Sequence, residues 1–118
     1  MTTRALLAAA AEHPADYLER LDSAPVEARA SAQDLRARLG GPLPERGAPA
    51  AEVLEELISG VEGGMLGSAG GRFFGWVIGG GVPAALAADW LTSAWDQNAA
   101  LYACSPAEAV VEEIVGGG

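Results

Sequence analysis

The sequence of 118 residues has room for one small domain, and its net charge of −9 results from 16 acidic residues against 7 arginines. Negative charge without a cluster of arginines disfavours binding to nucleic acid or to an anionic membrane surface. The chain contains no lysine, so it cannot by itself carry out a reaction that needs a lysine amine as nucleophile. Its one cysteine, Cys104, excludes an intrachain disulfide, and we expect a cytoplasmic protein without a signal peptide.

The first segment, residues 3–22, has the pattern of an amphipathic helix. Its apolar positions recur at helical spacing: Leu6, Ala10, Tyr17, Leu18 and Leu21. We expect Pro14 to kink this helix or to begin a second one. The apolar stripe is too narrow to fold alone, so it predicts packing against a partner surface.

Two further helices are predicted before residue 62. Ser31 and Asp34 have the spacing of a capping box for a short helix from Ala32 to Leu39. Another helix is predicted from about Pro49 to Val61. The glycines that follow it predict a flexible turn at residues 67–71.

The remaining segments predict one extended stretch and two helices. Arg72 to Ile78 is aromatic and β-branched, which favours an extended conformation. A helix is expected from Pro83 to about Ala99, and another begins at Ser105, with Glu108 completing a capping box. Asp89 and Asp96 lie on one helix without further ligands nearby, so we expect no metal site there.

Five short motifs then follow one another in order from Gly71 to Glu113. They are Arg72-Phe73-Phe74, the glycines 79–81, Asp89-Trp90-Leu91, Ser105-Pro106 and Glu112-Glu113. In this order they resemble the N-terminal region of the group II pyridoxal-phosphate-dependent decarboxylases, which include aromatic-amino-acid and glutamate decarboxylases. The resemblance is specific over residues 71–113 and extends less specifically to the rest of the chain.

The resemblance implies a fold and a cofactor. The chain would be mainly α as present, comprising an N-terminal helical dimerisation arm at 1–70 and the start of the decarboxylase domain at 71–118. The parent enzyme would have the α/β fold of type I pyridoxal-phosphate-dependent transferases and form a homodimer through its N-terminal helices. The family's cofactor-binding lysine, its aspartate and its stacking histidine have no counterpart here, because the match ends before them.

The resemblance also implies which residues would border the substrate. The stretch after the double phenylalanine would line the side-chain end of the pocket: Trp76, Val77, Ile78, Gly79 and, as an alternative, Gly80. The stretch before Ser105-Pro106 would reach the pocket of the neighbouring subunit: Asn98, Ala100 and Leu101, with Tyr102 close by. No catalytic, cofactor-binding or metal-binding residue is expected in this chain.

Two functions are therefore considered. The first is the N-terminal segment of an amino-acid decarboxylase, a carboxy-lyase of amino-acid and carboxylic-acid metabolism that is inactive without the rest of the enzyme. Its small amino-acid substrate is undetermined, although the glycine-rich loop slightly favours an apolar or aromatic side chain. The second is a stand-alone helical dimerisation module without catalysis.

Overall fold

A computed structural model describes every residue from Met1 to Gly118 and contains five α-helices and no β-strand, which confirms the mainly α prediction. The helices are α1 (Thr3–Arg20), α2 (Ala32–Leu39), α3 (Ala50–Gly60), α4 (Pro83–Trp95) and α5 (Pro106–Gly117). The chain divides into two units, Met1–Gly80 and Gly81–Gly118. No helix combines the length and the apolar character needed to cross a membrane.

Helix α1 is continuous, so the expected second start at Pro14 is wrong. The side chain of Thr2 caps the helix by accepting a hydrogen bond of 3.1 Å from the Ala5 amide. Alanines, the strongest helix formers, occupy most of the two turns before Pro14 and favour the helical backbone on that side. The half-buried stripe of α1 packs towards α3 and includes Leu6, His13 and Tyr17.

Helix α2 begins with the predicted capping box. The Asp34 amide donates to Ser31 Oγ, and the Ser31 amide donates to Asp34 Oδ2, each at 3.0 Å. Hydrogen bonding to the Asp34 carboxylate, by the Ser31 side chain first and by the Ser31 amide second, holds the pKa of this carboxyl below its ordinary value of 3.8, and Arg38 adds a smaller effect in the same direction. The reciprocal pair satisfies two backbone groups that a free helix end leaves unpaired.

Helix α3 and the glycines after it pack closely against α2 and the linker before it. The amides of Arg29 and Ala30 both donate to the Gly63 carbonyl, at 2.7 and 2.9 Å. A methyl group on Gly64 would lie 2.7 Å from Leu35 Cδ2. The glycines after α3 therefore permit close approach of two chain segments.

The second unit contains α4 and α5, which do not pack against each other. Helix α4 starts at Pro83 as predicted but ends at Trp95, because Asp96 takes a left-handed conformation with φ of 48°. At the start of α5, the Ser105 hydroxyl binds the Glu108 carboxylate instead of a backbone amide. The expected capping box is thus replaced by a bond between the two side chains.

No apolar side chain of the chain is buried, although each helix has an apolar face. On α4 and α5 the exposed side chains are Leu86, Trp90, Leu91, Trp95, Val110, Val111, Ile114 and Val115. The chain exposes 9705 Å² to solvent. Two separate, well-packed bodies divided at Gly80 would together expose only about 7,000 Å². Apolar surface that a stable protein would shield is therefore exposed in this chain.

The capping box predicts how Asp34 titrates. Because the folded-state pKa is depressed, ionised Asp34 stabilises α2 above its unfolded pKa, and this stabilisation is lost as the pH falls through the folded pKa. In an NMR titration of the side-chain carboxyl carbon, the Asp34 midpoint should rise when Ser31 is changed to alanine. An unchanged midpoint would show that the box does not form in solution.

The packing at Gly64 predicts a steric effect. Gly64→Ala forces a methyl group against Leu35 and should destabilise this packing by about 1–3 kcal/mol. Amide hydrogen exchange at Arg29 and Ala30 should then accelerate about tenfold or more, since about 1.4 kcal/mol corresponds to a factor of ten. Gly47→Ala is the control, because a methyl group there meets nothing within 4 Å. Equal exchange rates in the two variants would contradict the packing described.

Candidate functional site

The chain from Ser68 to Gly80 forms a closed loop at the end of the first unit. The Gly80 amide donates to the Ser68 carbonyl at 3.3 Å, which brings the two ends of the loop together. A tight turn from Gly67 to Gly70 leads into it, closed by a hydrogen bond of 3.1 Å. Short loops whose ends meet and whose own side chains pack inside them are often functional.

Arg72 ties this loop to the end of α1. Its guanidinium donates to the carbonyl of Leu21, at 3.5 Å, and to the carbonyl of Ala24. Leu21 is the C-terminal cap of α1, where carbonyl groups lack partners within the helix and carry the negative end of the helix dipole. The arginine therefore satisfies carbonyls at the end of α1 and fixes the base of the loop.

Phe73 packs inside the loop and is half-buried. A methyl group on Gly75 would lie 3.4 Å from Phe73 Cζ, and one on Gly79 would lie 3.7 Å from Phe73 Cδ1. A methyl group on Gly79 would also collide with the Ser68 carbonyl oxygen, and φ at Gly79 is +128°. Glycine is thus required at position 79 both for its backbone angle and for space.

The tip of the loop is a tight turn, which corrects the predicted extended conformation of Arg72 to Ile78. The Ile78 amide donates to the Gly75 carbonyl at 3.3 Å, and the two residues between them, Trp76 and Val77, have φ of 62° and 55°. Two successive positive φ values define the mirror-image turn typical of hairpin tips. A β-branched residue such as Val77 rarely adopts this conformation, so the backbone is strained at the tip.

The tip presents apolar side chains to solvent. Phe74 is 92% exposed and Trp76 is 82% exposed, and Val77 is fully exposed. Gly80 has a φ of +76° and open space beside its α-carbon, whereas Gly79 is in contact with Ser68 and Phe73. Of the two glycines assigned to the pocket edge, Gly80 is therefore the one that another molecule can approach closely.

The second set of expected pocket residues lies in a turn of the other unit, between α4 and α5. The Asn98 side-chain oxygen accepts a hydrogen bond of 3.0 Å from the Ala100 amide, which shapes the start of the turn. The amides of Cys104 and Ser105 both donate to the Leu101 carbonyl, at 3.0 and 3.1 Å. The Leu101 side chain and the neighbouring Tyr102 are exposed.

The structure thus places Trp76, Val77, Gly79 and Gly80 together in one loop of the first unit. It places Asn98, Ala100 and Leu101 together in one turn of the second. None of these seven residues has an acidic, basic or nucleophilic side chain. Each segment can offer shape and apolar contact to a ligand, and Trp76 adds one N–H donor.

Other potentially reactive groups are dispersed. No group of three histidine, cysteine or acidic side chains lies close enough together to hold a metal ion. Asp96 serves as the left-handed cap of α4, and Cys104 is an exposed free thiol. His13 is half-buried on α1, on the side that faces α3.

The sequence interpretation missed the role of Arg72 and the closure of the loop at Ser68. The sequence does contain a signal for the role of Arg72, because Arg72 is the one basic residue after Arg46. A single cation in a glycine-rich, apolar segment needs an anionic or carbonyl partner when it lies against the protein. Nothing in the sequence indicates that this partner is the end of α1, some 50 residues earlier.

Searches with protein-family models, among curated proteins and among solved structures find no match to this chain.

The tether predicts the effect of removing the arginine. Arg72→Ala should free the base of the loop and the end of α1, because the carbonyls of Leu21 and Ala24 lose their donor. Amide exchange at Gly80 should accelerate, and the NMR order parameter of the Trp76 amide should fall. Arg46→Ala removes the same charge from the linker before α3 and serves as the control. Equal changes in both variants would show that charge, not the tether, is responsible.

Proposed function

We propose that this chain is the N-terminal segment of a cytoplasmic, pyridoxal-phosphate-dependent amino-acid decarboxylase, in which it forms part of the substrate-pocket edge and of the dimer interface. The observation that carries the proposal is the ordered motif set from Arg72 to Glu113. The parent enzyme would have the α/β fold of type I pyridoxal-phosphate-dependent enzymes, with residues 71–118 at the start of its large domain.

The geometry of the closed loop supports a role at a pocket edge. The loop is fixed at its base by Arg72 and at its ends by the bond between Ser68 and Gly80. A fixed base with an exposed apolar tip holds Trp76 ready to contact a ligand, because little ordering is left to occur on binding. Strain at Trp76 and Val77 is also more common at functional sites than elsewhere.

The residues of this chain do not fit the cofactor itself. Pyridoxal phosphate is bound covalently by a lysine, and the chain has none. Arg72 is the one cation in the candidate loop. Its guanidinium donates hydrogen bonds to the carbonyls of Leu21 and Ala24 and is therefore not directed at a phosphate. The cofactor and the cleavage of the carboxylate therefore belong to other parts of the parent enzyme. This chain would shape the pocket and exclude water from it.

Exposed apolar side chains on α1 and α3 support the dimer contact. Leu7 and Leu18 lie on α1 and Val53 and Leu57 on α3, each about half exposed. Within each pair, the spacing puts both residues on one face of the helix. A homodimer that pairs such faces would shield apolar surface that the single chain leaves in water.

The exposed tip favours a substrate with an apolar or aromatic side chain. Trp76 and Val77 offer no charged group to pair with an acidic substrate, and Gly80 leaves room beside them. An aromatic ring would stack or pack edge-to-face on Trp76.

The proposal is tested on the parent enzyme. The reading frame that continues after codon 118 should encode a lysine-containing cofactor domain, and the protein expressed from the whole frame should release carbon dioxide from an amino acid. Trp76→Ala should raise KM about tenfold with little change in kcat, as expected for loss of a contact equally strong in the ground and transition states. Trp76→Phe should retain most of the affinity. A continuation without such a domain would contradict the proposal.

The chain alone should be inactive and should not bind the cofactor covalently through a side chain. After incubation with pyridoxal phosphate and reduction with borohydride, mass spectrometry should find label only at the N-terminal amine, because there is no lysine to react. Label on an internal residue, or decarboxylation by the chain alone, would contradict the assignment of cofactor chemistry to other parts of the enzyme.

A second function is favoured by one specific observation, the absence of any buried apolar side chain. A stand-alone helical dimerisation module would use the same faces without catalysis. Size-exclusion chromatography with circular dichroism separates the two possibilities. A fully helical dimer of the chain by itself favours the module, whereas a monomeric, largely disordered chain counts against it.

A further inference from the structure

A groove of about 840 Å³ runs between α1 and α3. Its floor is apolar and half-buried, formed by Leu6 and Ala10 from α1 and by Leu54 and Ile58 from α3. The groove is open along its length, which suits an elongated partner better than a small molecule, since small-molecule pockets usually enclose most of their ligand.

The rim of this groove is acidic. Glu12 and Asp16 of α1 and Glu52, Glu55 and Glu56 of α3 line it, together with the single histidine, His13. No arginine lines the groove. The arginine at the end of α1, Arg20, directs its Nε to the backbone carbonyl of Asp16 at 3.1 Å. The rim carboxylates therefore produce a concentrated negative potential along an apolar channel.

We propose that this groove, the α1–α3 groove, binds a basic amphipathic helix of another protein. Helix-in-groove recognition places an apolar stripe at positions i, i+3, i+4 and i+7 into such a channel. Lysine or arginine on both sides of the stripe then meets the acidic rim. The eleven residues of α3 give a floor of about 16 Å, which matches three turns of a bound helix.

The charges of the chain argue against its own segments as the occupant. Residues 81–118 contain no arginine, lysine or histidine, so neither α4 nor α5 can complement the rim. The one helix with a net positive charge, α2, packs Leu35 and Leu39 against Gly64 and Gly60. Pairing of this groove with the same groove of a second copy would oppose carboxylates to carboxylates. The inferred site is a different surface from the proposed pocket edge and does not depend on the decarboxylase assignment.

The test measures binding of labelled peptides to the 118-residue chain by fluorescence anisotropy. The probe is an amidated peptide of about 14 residues with leucines at helical spacing and lysines on both flanks. The comparison peptide replaces every lysine with glutamate. The lysine peptide should bind, and its affinity should fall between about 0.05 and 0.5 M salt because the ion pairs are screened.

Two pairs of variants locate the binding. Glu12→Gln with Glu55→Gln should weaken binding about tenfold, whereas Glu112→Gln with Glu113→Gln, the same charge change on α5, should leave it within about twofold. Leu54→Ala on the floor should weaken binding about fivefold, whereas Leu43→Ala, in the linker before α3 and outside the groove, should not.

Three results would overturn the proposal. Equal weakening by both glutamate pairs would show attraction to net charge alone. Equal binding of the lysine and glutamate peptides would show unspecific apolar contact. Loss of peptide binding as the chain concentration rises, with dimer formation in sedimentation, would show that a second copy occupies the groove.

Discussion

The apolar faces of the helices are only partly covered within the chain, and this constraint governs the rest of the structure. Five helices form from clear local signals, yet no apolar side chain is fully buried. The exposed surface exceeds that of two well-packed bodies of the same mass by about 2,700 Å². A standard protein interface covers about 800 Å² on each partner, so the uncovered area is sufficient for a large, obligate contact. The helices thus form from local sequence signals, whereas the burial of apolar surface that would stabilise them is not completed within the chain.

The closed loop at Ser68 to Gly80 is an ordered element outside the helices. Hydrogen bonds at its ends and the Arg72 side chain order it without an apolar core, by satisfying backbone carbonyls. The exposed tip carries Trp76 on a strained backbone. Rigidity at the base and exposure at the tip are the properties that a pocket edge needs, because the binding surface is organised before its ligand arrives.

Local signals in the sequence predicted the number of helices and several of their boundaries. Ser31 and Pro83 begin helices as expected, because capping and fixed φ act within a single turn. The extended conformation predicted for Arg72 to Ile78 is wrong, because β propensity needs a neighbouring strand and the chain offers none. Arg72 contacts a segment distant in sequence, and so do the glycines that follow α3. Sequence periodicity cannot reveal such contacts. The residues expected at the pocket edge were named from the family resemblance alone. The structure shows which of them share a loop.

The proposal that this chain depends on a partner is tested most directly by thermal unfolding of the 118-residue chain at several concentrations, followed by far-ultraviolet circular dichroism. If burial between copies supplies the missing core, helix content and the unfolding midpoint should rise as the chain concentration is raised about a hundredfold. A sharp transition of a monomer, with one midpoint at every concentration, would contradict the account, because it would show a chain that is stable on its own.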